Sequence, residues 1–95
     1  MNIDHSLMPR QRSNLHEQPI GDECMLFDDT DQCVHVLNGT AWEVWKHCDG
    51  SFSVSQIAQV LAQQYAGVDY EKILVDVSKI VAEFQQLNLV QGQES

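Results

Sequence analysis

The sequence has few positive charges. Only five of its 95 residues are lysine or arginine, against 14 aspartates and glutamates, and the formal net charge is −9. Proteins that bind nucleic acids or anionic membranes need clustered cations, so both are poor partners for this chain. Long apolar runs are also missing, since no segment approaches the roughly 20 residues that a membrane-spanning helix needs. We therefore expect a soluble protein.

Cysteine is scarce and shows no pairing pattern. Cys24, Cys33 and Cys48 are odd in number and lack a Cys-x-x-Cys spacing, and the first residues contain no apolar run of the signal-peptide kind. We expect free thiols and a cytoplasmic location. Residues 1–13 have neither a helical nor a strand period, and ordering them would cost entropy with little burial in return. The sequence thus predicts a mobile N-terminal tail at 1–13 and one domain at 14–91.

Spacings typical of catalytic sites are absent. The sequence contains no Gly-rich phosphate loop and no Gly-x-Ser-x-Gly elbow. None of the three cysteines has a nearby base and orienting group that would make its thiol a nucleophile. We predict that the chain is not an enzyme and has no catalytic residues.

Metal-binding patterns are also incomplete. Cys33 and His35 share one face of a predicted strand, but a structural zinc site usually shows paired ligands on both sides of a loop, and no second pair is present. Asp28, Asp29 and Asp31 lack the spacing and the distal glutamate of a calcium loop, so a solvated turn is the simpler interpretation. We predict no metal site and no cofactor.

Short runs of strand-forming residues fill the first part of the chain. Glu23 to Phe27 and Cys33 to Leu37 flank "DDTDQ", whose Asp and Thr side chains can stabilise a turn, and this pattern predicts a hairpin. An earlier strand is predicted near Leu15 to Gln18, and Pro19 ends it because proline cannot donate to a strand ladder.

After Asn38 the apolar period changes from two to about 3.6. Three helices are predicted, at about residues 40–47, 54–65 and 70–87. Asn38 and Asp69 are candidate N-caps, and Ser53 with Gln56 forms a capping-box pattern. The fold class is α+β, of winged helix-turn-helix type, with a small N-terminal antiparallel sheet of two to three strands packed on three helices.

Two tryptophans fall within one turn of the first predicted helix. Trp45 shares its face with Ala41 and Cys48, which predicts that it belongs to the core. Trp42 is expected to be half exposed, where it either covers the sheet edge or contacts a partner.

The segment "LNGTAWEVWKHCDG" carries a family resemblance. It is similar to the Leu-Asn-x-Thr-x-x-x-Ile-Trp-x-x-x-Asp-Gly signature of the PqqD-like family, the small peptide-binding domains also called RiPP recognition elements. The matching positions are Leu37, Asn38, Thr40, Val44, Trp45, Asp49 and Gly50. The likeness continues through "SFSVSQIAQVLAQQY" and "DVSKIVAEFQQLNLV", although Asn88 stands where the family usually has glycine.

The resemblance implies a non-catalytic peptide chaperone of natural product biosynthesis, the class that includes PQQ biosynthesis. Such a domain captures the leader of a precursor peptide as an added strand and presents it to a modifying enzyme, often a radical S-adenosylmethionine (SAM) protein. The family's groove lies between the third strand and the third helix. Carried over residue by residue, the peptide-binding positions are Cys33, Val34, His35, Val36, Leu37, Lys72, Ile73, Val77, Lys79 and Ile80.

Two other functions remain open at this stage. One is an accessory subunit that docks on a maturase or kinase without a peptide substrate. The other is a DNA-binding winged helix, which the shortage of cations disfavours because Lys72 and Lys79 stand beside three acidic residues of the third helix. The free sheet edge allows either a monomer or a weak homodimer.

Overall fold

The computed structural model describes residues 5–65 and 67–94. The elements in chain order are β1 (Leu7–Gln11), β2 (Leu15–Ile20), β3 (Glu23–Asp28), β4 (Cys33–Leu37), α1 (Gly39–Lys46), α2 (Val54–Gln64), α3 (Tyr70–Gln86) and β5 (Val90–Glu94). The predicted α+β arrangement of a small antiparallel sheet followed by three helices is confirmed. None of the helices in the described ranges is long and apolar enough to cross a membrane.

Strands β2, β3 and β4 form an antiparallel sheet in that order. The predicted hairpin is β3–β4, in which Asp28 lies opposite Cys33 and Leu26 lies opposite His35. Its turn is held by Asp28, whose Oδ1 accepts hydrogen bonds from the backbone N–H groups of Thr30 and Asp31 at 2.9 and 3.2 Å. An aspartate that bonds to the backbone just after it stabilises a turn in this way.

A second sheet pairs the two ends of the chain. β1 and β5 are antiparallel, with Leu7 opposite Glu94 and Gln11 opposite Val90. The prediction of an unstructured tail at 1–13 is therefore wrong for residues 7–11, and the folded unit begins before residue 14; residues 1–4 lie outside the described ranges. The backbone of β1 also bonds to the α1–α2 connection, since the Gln11 N–H donates to Cys48 O at 2.7 Å. These partners are distant in sequence, so no local period reveals the strand.

The helices begin largely as their capping residues predict. Asn38 Oδ1 accepts a bond from the Ala41 N–H at 2.8 Å, and Ser53 and Gln56 form both bonds of a capping box. The prediction for Asp69 is only half right: it occupies the N-cap position of α3, but its side chain makes no capping hydrogen bond. Helix α3 is instead stabilised by burial of one face along its length.

Helix α3 ends in a left-handed turn at Asn88, where φ is 58°. The N–H of Leu89 donates to Phe84 O at 2.9 Å and that of Asn88 to Gln85 O at 3.1 Å, which is the bond pattern of a Schellman motif. Asparagine tolerates this conformation better than most non-glycine residues. The position therefore accepts Asn88 where the family usually has glycine, and the chain reverses into β5.

The core lies between the three-stranded sheet and the helices. Trp45 is buried, as predicted, and meets Phe84 of α3 edge to face, with ring centroids 5.7 Å apart. Leu26 supplies the sheet side of the core, and Ile57 and Leu61 supply that of α2. This packing fixes α3 alongside the sheet.

Candidate functional site

Strand β4 forms one edge of the three-stranded sheet. It pairs with β3 on one side, and no strand of the described ranges pairs with its other side. Val34 and Val36 on its outer face are 50% and 61% exposed. Because β4 pairs with β3 on one side, every second residue of β4 directs its main-chain N–H and C=O groups to the other side, where they are available to a further strand.

A groove of about 610 Å³ runs between this edge and α3. Its lining residues are Val34, His35, Val36, Leu37, Asn38, Thr40, Ala41, Asp76, Lys79, Ile80, Glu83, Phe84 and Leu87. Leu37 and Phe84 are the most buried of these residues and give the groove an apolar base, to which the half-buried Ile80 adds. The open strand edge thus lies beside apolar surface that side chains of a bound segment can cover.

Charged side chains stand along the helical wall of the groove. Asp76, Lys79 and Glu83 lie on successive turns of α3. Lys72 approaches Asp76 with Nζ 3.7 Å from Oδ2, and both side chains are largely exposed, so this ion pair contributes little to stability. The wall therefore offers both signs of charge to a ligand and is not a basic surface for a phosphate backbone.

A smaller cavity of about 250 Å³ adjoins the groove. Thr40 and Asp76 line both spaces. The other residues around the smaller cavity are Leu61, Tyr65, Val68, Lys72, Ile73 and Val77. It lies where the end of α2 meets the start of α3.

The ten residues that the sequence assigned to peptide binding divide between these two spaces. Val34, His35, Val36, Leu37, Lys79 and Ile80 line the groove. Lys72, Ile73 and Val77 line the smaller cavity instead, and the last two are buried in the core. Cys33 lines neither, although it begins the edge strand.

Several groove residues were missed by the sequence reasoning. Phe84 and Leu87 follow Ile80 at the helical spacing of four and three residues, so the period of α3 was a signal that could have found them. Thr40 and Ala41 come from the first turn of α1 and enter the groove because α1 directly follows β4. The sequence alone does not show that the first turn of α1 lies beside the groove.

The three thiols differ in accessibility. Cys24 and Cys48 are buried, and burial raises the pKa of Cys48 to about 12, so this thiol stays protonated at neutral pH. Cys48 Sγ lies 3.2 Å from Val44 O, to which it donates. Cys33 is only partly buried, and its Sγ lies 3.3 Å from His35 Nε2.

Comparison with solved structures finds the same fold in two proteins that were solved with leader peptides. TbiB1 in complex with the TbiA(beta) leader peptide superposes with a TM-score of 0.78 at 15% identity, over 90% of this chain and 99% of that one. A lasso peptide synthetase B1 complexed with the leader peptide gives 0.76 at 19% identity, over 88% and 98%. These likenesses concern the fold.

A third structure is more similar in sequence. The PqqD truncation of Methylobacterium extorquens PqqCD, described as a functional and stand-alone RiPP recognition element, gives a TM-score of 0.71 at 27% identity, over 87% of each chain. No curated protein matches the sequence. The family model for coenzyme PQQ synthesis protein D matches residues 23–90, which span β3 to the start of β5. The chain therefore belongs to the PqqD family.

Proposed function

We propose that this chain is a non-catalytic module that binds the leader segment of a ribosomally made precursor peptide by strand addition to β4. The observation that carries the proposal is the unpaired edge of β4 beside a groove with an apolar base. Main-chain hydrogen bonds along the edge would supply affinity, and alternate side chains of the peptide would enter the groove.

The dimensions suit a short extended peptide. Five residues of β4 span about 17 Å at roughly 3.3 Å per residue, so the strand can pair with about five residues of a peptide of five to eight residues. We expect few side chains of the peptide to reach buried surface, because Leu37 and Phe84 are the only lining residues that are buried. We expect a dissociation constant of about a micromolar or tighter, near −8 kcal/mol, which allows hand-over to an enzyme.

The comparisons support the same function. Two proteins of the same fold were solved with leader peptides, and a third relative is described as a RiPP recognition element. We infer that the modifying enzyme served by this chain is of the radical SAM class, that the pair works in the cytoplasm, and that the module is a monomer or a weak homodimer. A homodimer through β4 would compete with the peptide for the same edge.

The test is an NMR titration of the isotope-labelled protein with the leader of a precursor encoded beside it. We expect the amide signals of Val34, Val36 and the groove-facing turns of α3 to shift together. Glu17 and Gln18 on β2, the opposite edge of the same sheet, serve as internal controls and should not move.

A leader that binds but leaves Val34 and Val36 unmoved would overturn strand addition at β4. Binding to the enzyme without any binding to the leader would favour the accessory docking role instead. Adding the purified enzyme alone, before the peptide, separates these two results.

A further inference from the structure

Three potential metal ligands converge at the loop end of the β3–β4 hairpin. Asp28 lies directly opposite Cys33 in the ladder, and His35 follows two residues later on the same face of β4. One donor atom from each of these side chains lies within 4.8 Å of the others, and Cys33 Sγ is 3.3 Å from His35 Nε2. The cluster therefore brings one oxygen, one sulfur and one nitrogen donor close together.

The spacing suits a small tetrahedral ion. Zinc bonds of about 2.0 Å to oxygen and nitrogen and about 2.3 Å to sulfur put neighbouring donor atoms roughly 3.3 to 3.5 Å apart. The thiol–imidazole distance already falls at this spacing, and small side-chain rotations would bring the carboxylate to it. Three protein ligands of this kind leave a fourth position for water.

The carboxylate of Asp28 is held in place before any ion arrives. Its Oδ1 accepts bonds from Asn14 Nδ2 at 3.0 Å and from the N–H groups of Thr30 and Asp31. All three of these bonds go to Oδ1, and Oδ2 is the oxygen that we expect to bind a cation. Outer hydrogen bonds that orient a ligand in this way strengthen metal binding.

The local charge also favours a cation. Asp29 and Asp31 follow Asp28 in the same turn, and the described residues of this turn include no lysine or arginine. A divalent ion would offset the negative charge of these carboxylates and stabilise the thiolate form of Cys33.

We propose that Asp28, Cys33 and His35 form a binding site for one divalent transition metal ion of the Zn²⁺ type. The proposal does not rest on peptide binding, because the site needs neither a leader nor an enzyme, although His35 also lines the groove. It departs from the prediction of no metal site, which considered Cys33 and His35 without a further ligand pair. The missing ligand is on the other strand, and the hairpin turn brings it opposite.

Titration of the reduced protein with Co²⁺, followed by visible and near-ultraviolet absorption, tests the site. We expect one equivalent to bind, with visible bands of tetrahedral cobalt and a thiolate-to-cobalt charge-transfer band, and Zn²⁺ to displace it. Cys33→Ser should abolish the charge-transfer band, and His35→Gln should weaken Co²⁺ binding by at least about tenfold. His16→Gln is the matched control, since His16 is an exposed histidine of the same sheet beside Asp29, and it should bind cobalt as the parent does.

Asp28 also organises the turn, so its substitution could unfold the hairpin. The unmodified protein therefore provides a second measurement, in which Zn²⁺ should shift the NMR signals of the His35 ring and the Cys33 β-carbon at one equivalent. Absence of a charge-transfer band, its survival in Cys33→Ser, or zinc-induced shifts confined to His5, His16 and His47 would each overturn the site.

Discussion

The two edges of the three-stranded sheet differ in what they offer to another chain. β2 contains Pro19, which has no N–H to donate, and its Glu17 side chain accepts a bond from Trp42 Nε1 at 3.3 Å. β4 contains no proline and borders the groove along α3. Both edges present unpaired backbone groups within the described ranges, and the edge of β4 borders the groove whose base is formed by Leu37 and Phe84.

The difference shows that an open edge alone does not make a binding site. Proline and charged side chains on an edge are known devices against unwanted strand pairing, and β2 carries both. On β4 the same main-chain groups lie beside Ile80 and Phe84, which can cover the side chains of an added strand. We therefore expect selectivity between the edges to come both from Pro19 and Glu17 on β2 and from α3 beside β4.

Proline substitution should give the largest difference between the two edges. Along a strand, the N–H groups of neighbouring residues point to opposite sides, so one of His35 and Val36 directs its N–H toward β3 and the other directs it outward. Of the variants His35→Pro and Val36→Pro, one therefore removes an outward donor and leaves the hydrogen bonds with β3 intact. We expect that folded variant to bind leader peptide about 30- to 100-fold more weakly, roughly 2 to 2.7 kcal/mol, by calorimetry.

The corresponding pair on β2, Glu17→Pro and Gln18→Pro, is the control. Its folded member should retain leader affinity, with circular dichroism used to select the folded variants on both edges. Equal losses on β2 and β4 would show that the peptide does not distinguish the edges.

Truncation of the groove wall should have an intermediate effect. Ile80→Ala removes part of the apolar surface facing β4, and we expect a loss of about 1 to 2 kcal/mol in leader binding, a factor of about 5 to 30. Val75→Ala is the matched control, because Val75 lies on the same helix but is 51% exposed and outside the groove lining. Fluorescence anisotropy with a labelled leader measures the dissociation constant of both variants. Equal dissociation constants would contradict a contact between the peptide and this part of α3.

Thiol reactivity should give the smallest effect. Cys33 begins the open edge strand, whereas Cys24 lies in the central strand and Cys48 is buried with its pKa raised to about 12. We expect a maleimide to label Cys33 first at neutral pH, and a bound leader to slow this labelling several-fold. Because the pKa of Cys33 is also raised, its labelling should still accelerate as the pH rises above the ordinary thiol pKa.

Mass spectrometry of the intact and digested protein follows the labelling, with Cys33→Ser as the reference. First labelling at Cys24 or Cys48 would contradict the order of accessibility. Leader binding that leaves the rate unchanged would place the peptide away from the start of β4.

The sequence predicted those parts of the fold that local patterns determine. Alternation and the Asp-rich turn identified the β3–β4 hairpin, and the helical period with Asn38 and Ser53 as caps located the helices within about two residues. β1 could not be found in this way, because its partner β5 lies at the far end of the chain and Pro9 and Arg10 interrupt any strand period.

The position of the groove was predicted in outline by family resemblance and not in detail. Positions on β4 and the middle of α3 line the groove, whereas Ile73 and Val77 line the smaller cavity and are buried in the core. Sequence periodicity identifies the apolar face of a helix but not which part of that face lies toward the edge strand. The Asp28, Cys33 and His35 cluster depends on cross-strand register, which residue spacing does not contain.

The pairing of Leu7 with Glu94 has a practical consequence for joining this module to other proteins. These two residues begin β1 and end β5, and they are direct neighbours in the two-stranded sheet. A linker attached before β1 or after β5 therefore starts from the same side of this sheet. Fusion to another protein through residues near Leu7 or near Glu94 would therefore hold β4 in a similar place, and under the proposed function the order of the two fused parts need not alter how the peptide is presented.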